Sequence, residues 1–301
     1  MSLDLDKRQR AMLREMGVRV WQPLPAPLEE ALAQVQVEHA INNIAAGARL
    51  ERAEPRFNAE TPVALPVRVH AAPALQAAPL ARSQDVDLMD WATLQAALAT
   101  CRACGLCESR THTVFGVGPE VAGAAPAPVD WLIVGEAPGE SEDLAGEPFV
   151  GQAGKLLDNM LLAMGLQRGQ GDAPPQAGLS RSIFITNVLK CRPPANRNPD
   201  PAEVAQCAPY LTRQVELLQP KMILALGKFA AQSLLQGSVP DVQKIPLGKL
   251  RGQVFRYLGV PVVVSYHPAY LLRSMGDKAK AWDDLCVALD SFRHADQVLS
   301  T

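Results

Sequence analysis

The side chains best suited to chemistry are five of the six cysteines. Cys101-Arg-Ala-Cys104-Gly-Leu-Cys107 puts three thiols within seven residues, Cys191 follows an apolar run that begins at Ile183, and Cys207 lies sixteen residues further on. Two Cys pairs brought together by a fold make a four-thiolate centre, the ligand set of structural zinc and of iron-sulfur clusters, and spacing alone does not separate the two. In a reducing compartment such cysteines read as metal ligands or reactive thiols before disulfides. Cys286 differs, since it falls among Trp282, Leu285 and Leu289, where a thiol serves as a small apolar residue. Of the histidines, His267 follows a strand-like run and precedes Pro268, whereas His39, His70, His112 and His294 lack comparable surroundings.

The elements that must position these groups are legible as periodicities. Leu88, Trp91, Leu94 and Leu98 recur at helical spacing and lead into Cys101. Strand-sized apolar runs at 131–134, 183–188, 222–226 and 261–265 alternate with helical patterns at 152–165, 201–218, 227–236 and 277–293. This alternation predicts a three-layer α/β/α sandwich around a mainly parallel four-stranded sheet, with ligands bound at the carboxyl ends of the strands. Residues 114–129 read as a loop rich in Gly, Ala and Pro. Ahead of the domain, 1–21 carries a short amphipathic helix pattern (Met12, Leu13, Met16, then Gly17). Residues 22–86, rich in Pro and Ala, read as a disordered linker, which leaves 87–297 as the folded domain.

With 301 residues, 48% apolar content and a formal net charge of -2, the chain is neither fibrous nor wholly disordered. Charges balance on both sides of residue 100, with 10 basic against 12 acidic before it and 19 of each after, so any nucleic-acid binding must use a local patch. No apolar run is long enough for a membrane span, and Asp4, Asp6 and Lys7 stand where a signal peptide needs apolar residues, so a cytoplasmic, nucleoid-associated protein outside the membrane is expected, with a monomer as the default.

Three long motifs resemble those of the family 4 uracil-DNA glycosylases, the iron-sulfur branch of that superfamily. They are Gly135-Glu-Ala-Pro-Gly-Glu-Ser-Glu142-Asp-Leu-Ala-Gly-Glu-Pro-Phe149-Val-Gly-Gln-Ala-Gly154, then Thr186-Asn187-Val-Leu-Lys-Cys191-Arg-Pro-Pro-Ala-Asn196-Arg, then His267-Pro-Ala-Tyr-Leu271-Leu-Arg273. The resemblance spans about 101–290. It implies a [4Fe-4S] cluster on Cys101, Cys104, Cys191 and Cys207, with Cys107 spare and zinc the alternative metal. It also implies a monofunctional enzyme of base excision repair that flips deoxyuridine out of single- or double-stranded DNA and leaves an abasic site.

The same residues suit that reaction, which needs an extruded base, a pocket that reads its edge, and stabilisation of the departing uracil anion. Asn187 offers a donor and an acceptor for uracil O4 and N3–H, a pair that cytosine presents with inverted polarity. Phe149, set between Pro148 and the Gly151/Gly154 pair, is placed to stack on a base, and His267 to face uracil O2, where charge develops. By resemblance Glu136 positions a water or stabilises the cationic sugar, and Glu142 sits near C5 of the base. Ala137 occupies the position at which another branch carries a water-activating Asp. Arg192, Asn196 and Arg197, with Lys190 before them, are expected to form a basic DNA-binding loop, and Tyr270, Leu271 and Arg273 a wedge that enters the duplex.

Outside this region, residues 7–21 look similar to the N-terminal clamp-loader-binding segment of the psi subunit of bacterial DNA polymerase III, which implies a replication contact through Leu13, Met16, Val18 and Trp21. The competing reading of the whole chain is a non-catalytic iron-sulfur or zinc DNA-binding module recruited to replication or repair machinery.

Overall fold

A computed structural model of the chain describes residues 85–119, 126–168, 180 and 182–299. The helix expected over 1–21 and linker residues 22–84 lie outside them. The linker's expected end at 86 falls slightly late, because Val86 is already buried in the turn Val86–Leu88, in the same core cluster as Trp91 and Leu94.

Five strands form one sheet: β1 (Trp131–Gly135), β2 (Ile183–Asn187), β3 (Met222–Leu226), β4 (Val254–Tyr257) and β5 (Val260–Ser265), in the order β2-β1-β3-β5-β4. All neighbours run parallel except β4, which pairs antiparallel with β5. The sheet thus has one strand more than expected. Residues 254–257 alternate between exposed and half-buried positions, as an edge strand covered on one face does, and Leu258-Gly259 turns the chain with both φ angles positive. Strands β1, β2 and β3 are buried along their whole length, which is why they read as continuous apolar runs.

Eight helices surround the sheet among the described residues: α1 (Trp91–Ala99), α2 (Glu140–Ala145), α3 (Gln152–Ala163), α4 (Pro201–Leu218), α5 (Lys228–Leu235), α6 (Leu247–Leu250), α7 (Pro268–Leu271) and α8 (Lys278–Leu299). Successive strand residues feed opposite faces. Trp131, Ile133, Met222, Leu224 and Val263 pack with Leu157, Met160 and Leu161 of α3, Leu271 of α7 and Trp282 and Leu285 of α8. Leu132, Val134, Ile223, Ala225, Val262 and Val264 pack with α1, α4 and α5. The three-layer α/β/α architecture follows.

Local sequence sets the helix boundaries near the site. Asp90 starts α1 by accepting from the Thr93 amide. Asp200, Pro201 and Glu203 open α4 as a capping box, in which Asp200 accepts from Ala202 N and Glu203 accepts from Asp200 N. Because β1, β2, β3 and β5 are parallel and in register, with Gly135 beside Asn187 and Leu226 beside Ser265, their carboxyl ends present one continuous rim.

Candidate active site and cysteine centre

That rim carries a cleft of about 750 Å³, lined by Glu136, Phe149, Asn187, Tyr266 and His267 among others. Asn187 closes β2 at 2% exposure, and its Oδ1 has no hydrogen-bond partner in the protein. A buried amide oxygen left unpaired beside a cleft is available to a ligand donor. Across from it, Gly135 has no side chain for a steric reason: a Cβ there would lie 2.3 Å from Asn187 Oδ1 and 2.5 Å from the Phe149 ring.

Phe149 is 6% exposed and has a φ of 56°, a left-handed conformation that costs an aromatic residue roughly 1–3 kcal/mol. The strained backbone turns its ring onto His267, with centroids 5.5 Å apart and planes 28° from parallel. His267 is also the N-cap of α7, where its Nδ1 accepts from the Ala269 amide at 3.2 Å. Accepting at Nδ1 leaves the proton of the neutral ring on Nε2. Burial lowers the imidazole pKa to about 4, aided by the charge of Arg273 and opposed by that of Glu142. The histidine is therefore a neutral donor at physiological pH. Glu136, the first residue after β1, is pushed the other way, up to about 7, by burial.

Glu142 lines the cleft, but its carboxylate accepts from the backbone amides of Gly139, Val150 and Gly151 at 3.0–3.1 Å. It thereby ties the start of α2 to the residues after Phe149. Ala137 lines the same cleft and presents only a methyl group.

The expected DNA-facing residues separate into three groups. Asn196, Arg197, Tyr270 and Arg273 line the cleft. Arg192 is anchored by Asn196 Oδ1 at 2.9 Å and lies 3.6 Å from Glu140, and Arg197 pairs with Glu203. Tyr270, 38% exposed, stacks on Tyr266 and donates to Asp277. Leu271 does not belong with them: at 0% exposure it is a core residue beneath α7, whereas its neighbour Leu272 is 43% exposed. A four-residue helix turns 100° per residue, so a one-position error exchanges core for surface. Lys190 is likewise no part of a basic loop. It is fully buried and donates to Thr186 Oγ1 at 2.6 Å and Gln214 Oε1 at 2.7 Å, and burial lowers its pKa to about 7.

Cys101, Cys104, Cys107, Cys191 and Cys207 ring a small cavity near this site. Burial pushes the Cys191 thiol up to about 11 and Cys207 to about 12, so both need a strong local cation to exist as thiolates. One is present: Arg110 Nη1 donates to Cys191 Sγ at 3.1 Å. Among the described residues no group of three or more His, Cys, Asp or Glu is set closely enough to hold a single metal ion.

Sequence reasoning brings Glu136, Glu142, Phe149, Asn187 and His267 to one cleft and Cys101, Cys104, Cys191 and Cys207 to one centre, and the structure places all of them so, with Cys107 at the same cavity. It misses Gly135, Arg110, Tyr266 and Leu272. Only Leu272 had a readable signal, since it is the apolar residue next to a polar Arg273 in a turn too short to bury both leucines.

Among the described residues no helix is long and apolar enough to cross a membrane. A family model described as the uracil DNA glycosylase superfamily matches residues 122–286. The chain is 42% identical over 179 residues to a type-4 uracil-DNA glycosylase of Archaeoglobus fulgidus, covering 58% of this chain and 79% of that one. It is 39% identical over 203 residues to the type-4 enzyme of Pyrobaculum aerophilum (66% and 93%) and 37% over 181 residues to that of Thermotoga maritima (60% and 82%). A matched sheet with its cleft at the strand ends, and relatives covered over most of their length, lead to one conclusion: the chain belongs to the uracil-DNA glycosylase superfamily, in its type-4 branch.

Proposed function

We propose that this chain is a monofunctional uracil-DNA glycosylase, and the observation that carries the reading is the unpaired, buried Oδ1 of Asn187 beside the stacked Phe149 and His267 rings. A flipped uracil would offer N3–H to that oxygen and O4 to the Asn187 amide NH₂. Cytosine would set acceptor against acceptor there, leaving buried polar groups unmatched. The Phe149 ring supplies a stacking face. Nε2–H of neutral His267 donates to O2 as negative charge moves from the breaking C1′–N1 bond onto the base, and it needs no proton transfer to do so. Glu136, ionised above about pH 7, holds the attacking water and offsets the positive charge on the sugar. Uracil leaves, water adds at C1′, and an abasic site remains.

DNA would be held by Arg273, Arg197, Arg192 and Asn196, with Tyr270 and the exposed Leu272 rather than Leu271 at the point where the base leaves the stack. Cys101, Cys104, Cys191 and Cys207 would hold a [4Fe-4S] cluster, with Cys107 as the spare thiol. Their convergence on one small cavity, with the Arg110 guanidinium on Cys191, supports a shared four-thiolate centre. When bound, the cluster supplies metal–thiolate bonds that cross-link the 101–107 segment to the residues after β2. Residues 7–21 would dock a replication clamp-loader protein, and deleting 1–25 should abolish that binding without reducing excision.

The test is excision from a single-uracil oligonucleotide, with alkali to reveal abasic sites. Alkali-dependent breakage with uracil but not thymine, lost in Asn187→Ala, is the expected result. A cluster-loaded protein that cuts nothing, or an Asn187→Ala variant as active as the parent, overturns the reading.

A further inference from the structure

The left-handed conformation of Phe149 needs something to hold it, and that holder lies outside every motif of the cleft. Arg168 follows α3, and its side chain is only 11% exposed. Its Nη1 donates to the Pro148 carbonyl at 2.8 Å and its Nη2 to the Phe149 carbonyl at 3.1 Å. Its Nε donates to Asp158 Oδ1 of α3 at 3.0 Å, and Nη2 lies 2.8 Å from the same oxygen. A planar guanidinium with all three nitrogens engaged fixes the direction of two consecutive carbonyls, a task for which a lysine has the charge but not the fork. The other side of the Phe149 carbonyl is fixed by packing, because a Cβ on Gly154 would stand 1.7 Å from that oxygen. Gly154 leaves the space and Arg168 fills the oxygen's bonding capacity, so together they set the peptide after Phe149 and through it the ring against His267.

We propose that Arg168 is a positioning residue for the base: acting from outside the cleft, it holds the Phe149 ring in its stacking orientation and so controls affinity for the extruded uracil. This rests on the reading of Phe149 as the stacking face, and the test separates the two. Excision kinetics on a single-stranded uracil oligonucleotide and inhibition by free uracil would be measured for Arg168→Gln, Arg168→Lys, Phe149→Ala and the double variant Arg168→Gln/Phe149→Ala.

Arg168→Gln should raise KM and the inhibition constant of free uracil about tenfold, as a ring displaced by a fraction of an ångström weakens stacking. The pH profile should not move, because neither Glu136 nor His267 is touched. Arg168→Lys should fall between parent and Gln variant. The double variant should lose no more than Phe149→Ala alone, the signature of two residues acting through one contact. Additive losses, or parental uracil inhibition in a folded Arg168→Gln protein, overturn the proposal. Parental behaviour of Phe149→Ala overturns instead the stacking role on which it rests. Should Arg168→Gln fail to fold, Asp158→Asn, which keeps the guanidinium but frees one side of it, should raise the uracil inhibition constant severalfold, and no change there also counts against the proposal.

Discussion

Gly135→Ala isolates the geometry of the base pocket in a single methyl group. Gly135 has no positive φ, and it ends a strand, so alanine is acceptable to the backbone. The added Cβ would meet Asn187 Oδ1 at 2.3 Å and Phe149 Cζ at 2.5 Å, and each must retreat by about 1 Å to reach ordinary contact. The ring cannot retreat freely, since it lies against His267 and its own carbonyl is wedged at Gly154. A 1 Å misplacement of groups that orient a substrate costs on the order of 10²-fold in rate, or roughly 3 kcal/mol of barrier. Crowding of this kind destabilises the fold by about 1–3 kcal/mol. Gly135→Ala should therefore remain folded, with a thermal midpoint a few degrees lower, while kcat/KM for uracil excision falls by about two orders of magnitude. Parental kcat/KM in the folded variant would refute the claim that Asn187 and Phe149 together define the pocket.

Four other outcomes are expected. Excision should decline as pH falls through about 7, the Glu136 value, and not near 4, the His267 value; Glu136→Gln should be slow and lack that limb. The same carboxyl ionises at lower pH in the unfolded chain, so between about 4.5 and 7 the folded protein retains a proton that the unfolded one releases. Stability therefore falls as pH rises through that window, and Glu136→Gln should flatten this slope in denaturant titrations. Leu271→Ala should cost about 2–5 kcal/mol of stability as a core cavity, whereas Leu272→Ala should leave melting unchanged and reduce excision from duplex more than from single strands. With the proposed cluster bound, Arg110→Leu should speed chelator-driven loss of iron absorbance about tenfold or more, as removal of a donor to a metal ligand does, and equal rates in parent and variant would sink that role.

What could be read in advance follows the physics of contact range. Asn187 and His267 were legible because strand ends in a parallel sheet converge wherever the intervening helices go. The clustering of Cys101, Cys104, Cys191 and Cys207 was legible because thiols have few other uses at that spacing. Edge strand β4 was missed because one of its faces meets solvent, the other is only half-buried, and its alternation is only four residues long. Lys190 read as a surface base because sequence does not announce that Thr186, Gln214 and the Phe115 carbonyl enclose it. Arg110 and Arg168 act through contacts 81 and about 20 residues away, on a thiol and on carbonyls, and no local pattern encodes either.

The solitary oxygen of Asn187 also bears on how stable this protein is allowed to be. A buried carbonyl without a donor costs about 1–3 kcal/mol of stability, a sizeable share of what a domain of this kind holds in reserve. An apolar replacement of similar shape would yield a sturdier molecule that no longer recognises its base, so resistance to heat and ability to read uracil are set against each other at one atom. Free uracil, by donating to that oxygen, should raise the melting temperature of the parent and leave that of the apolar variant where it was.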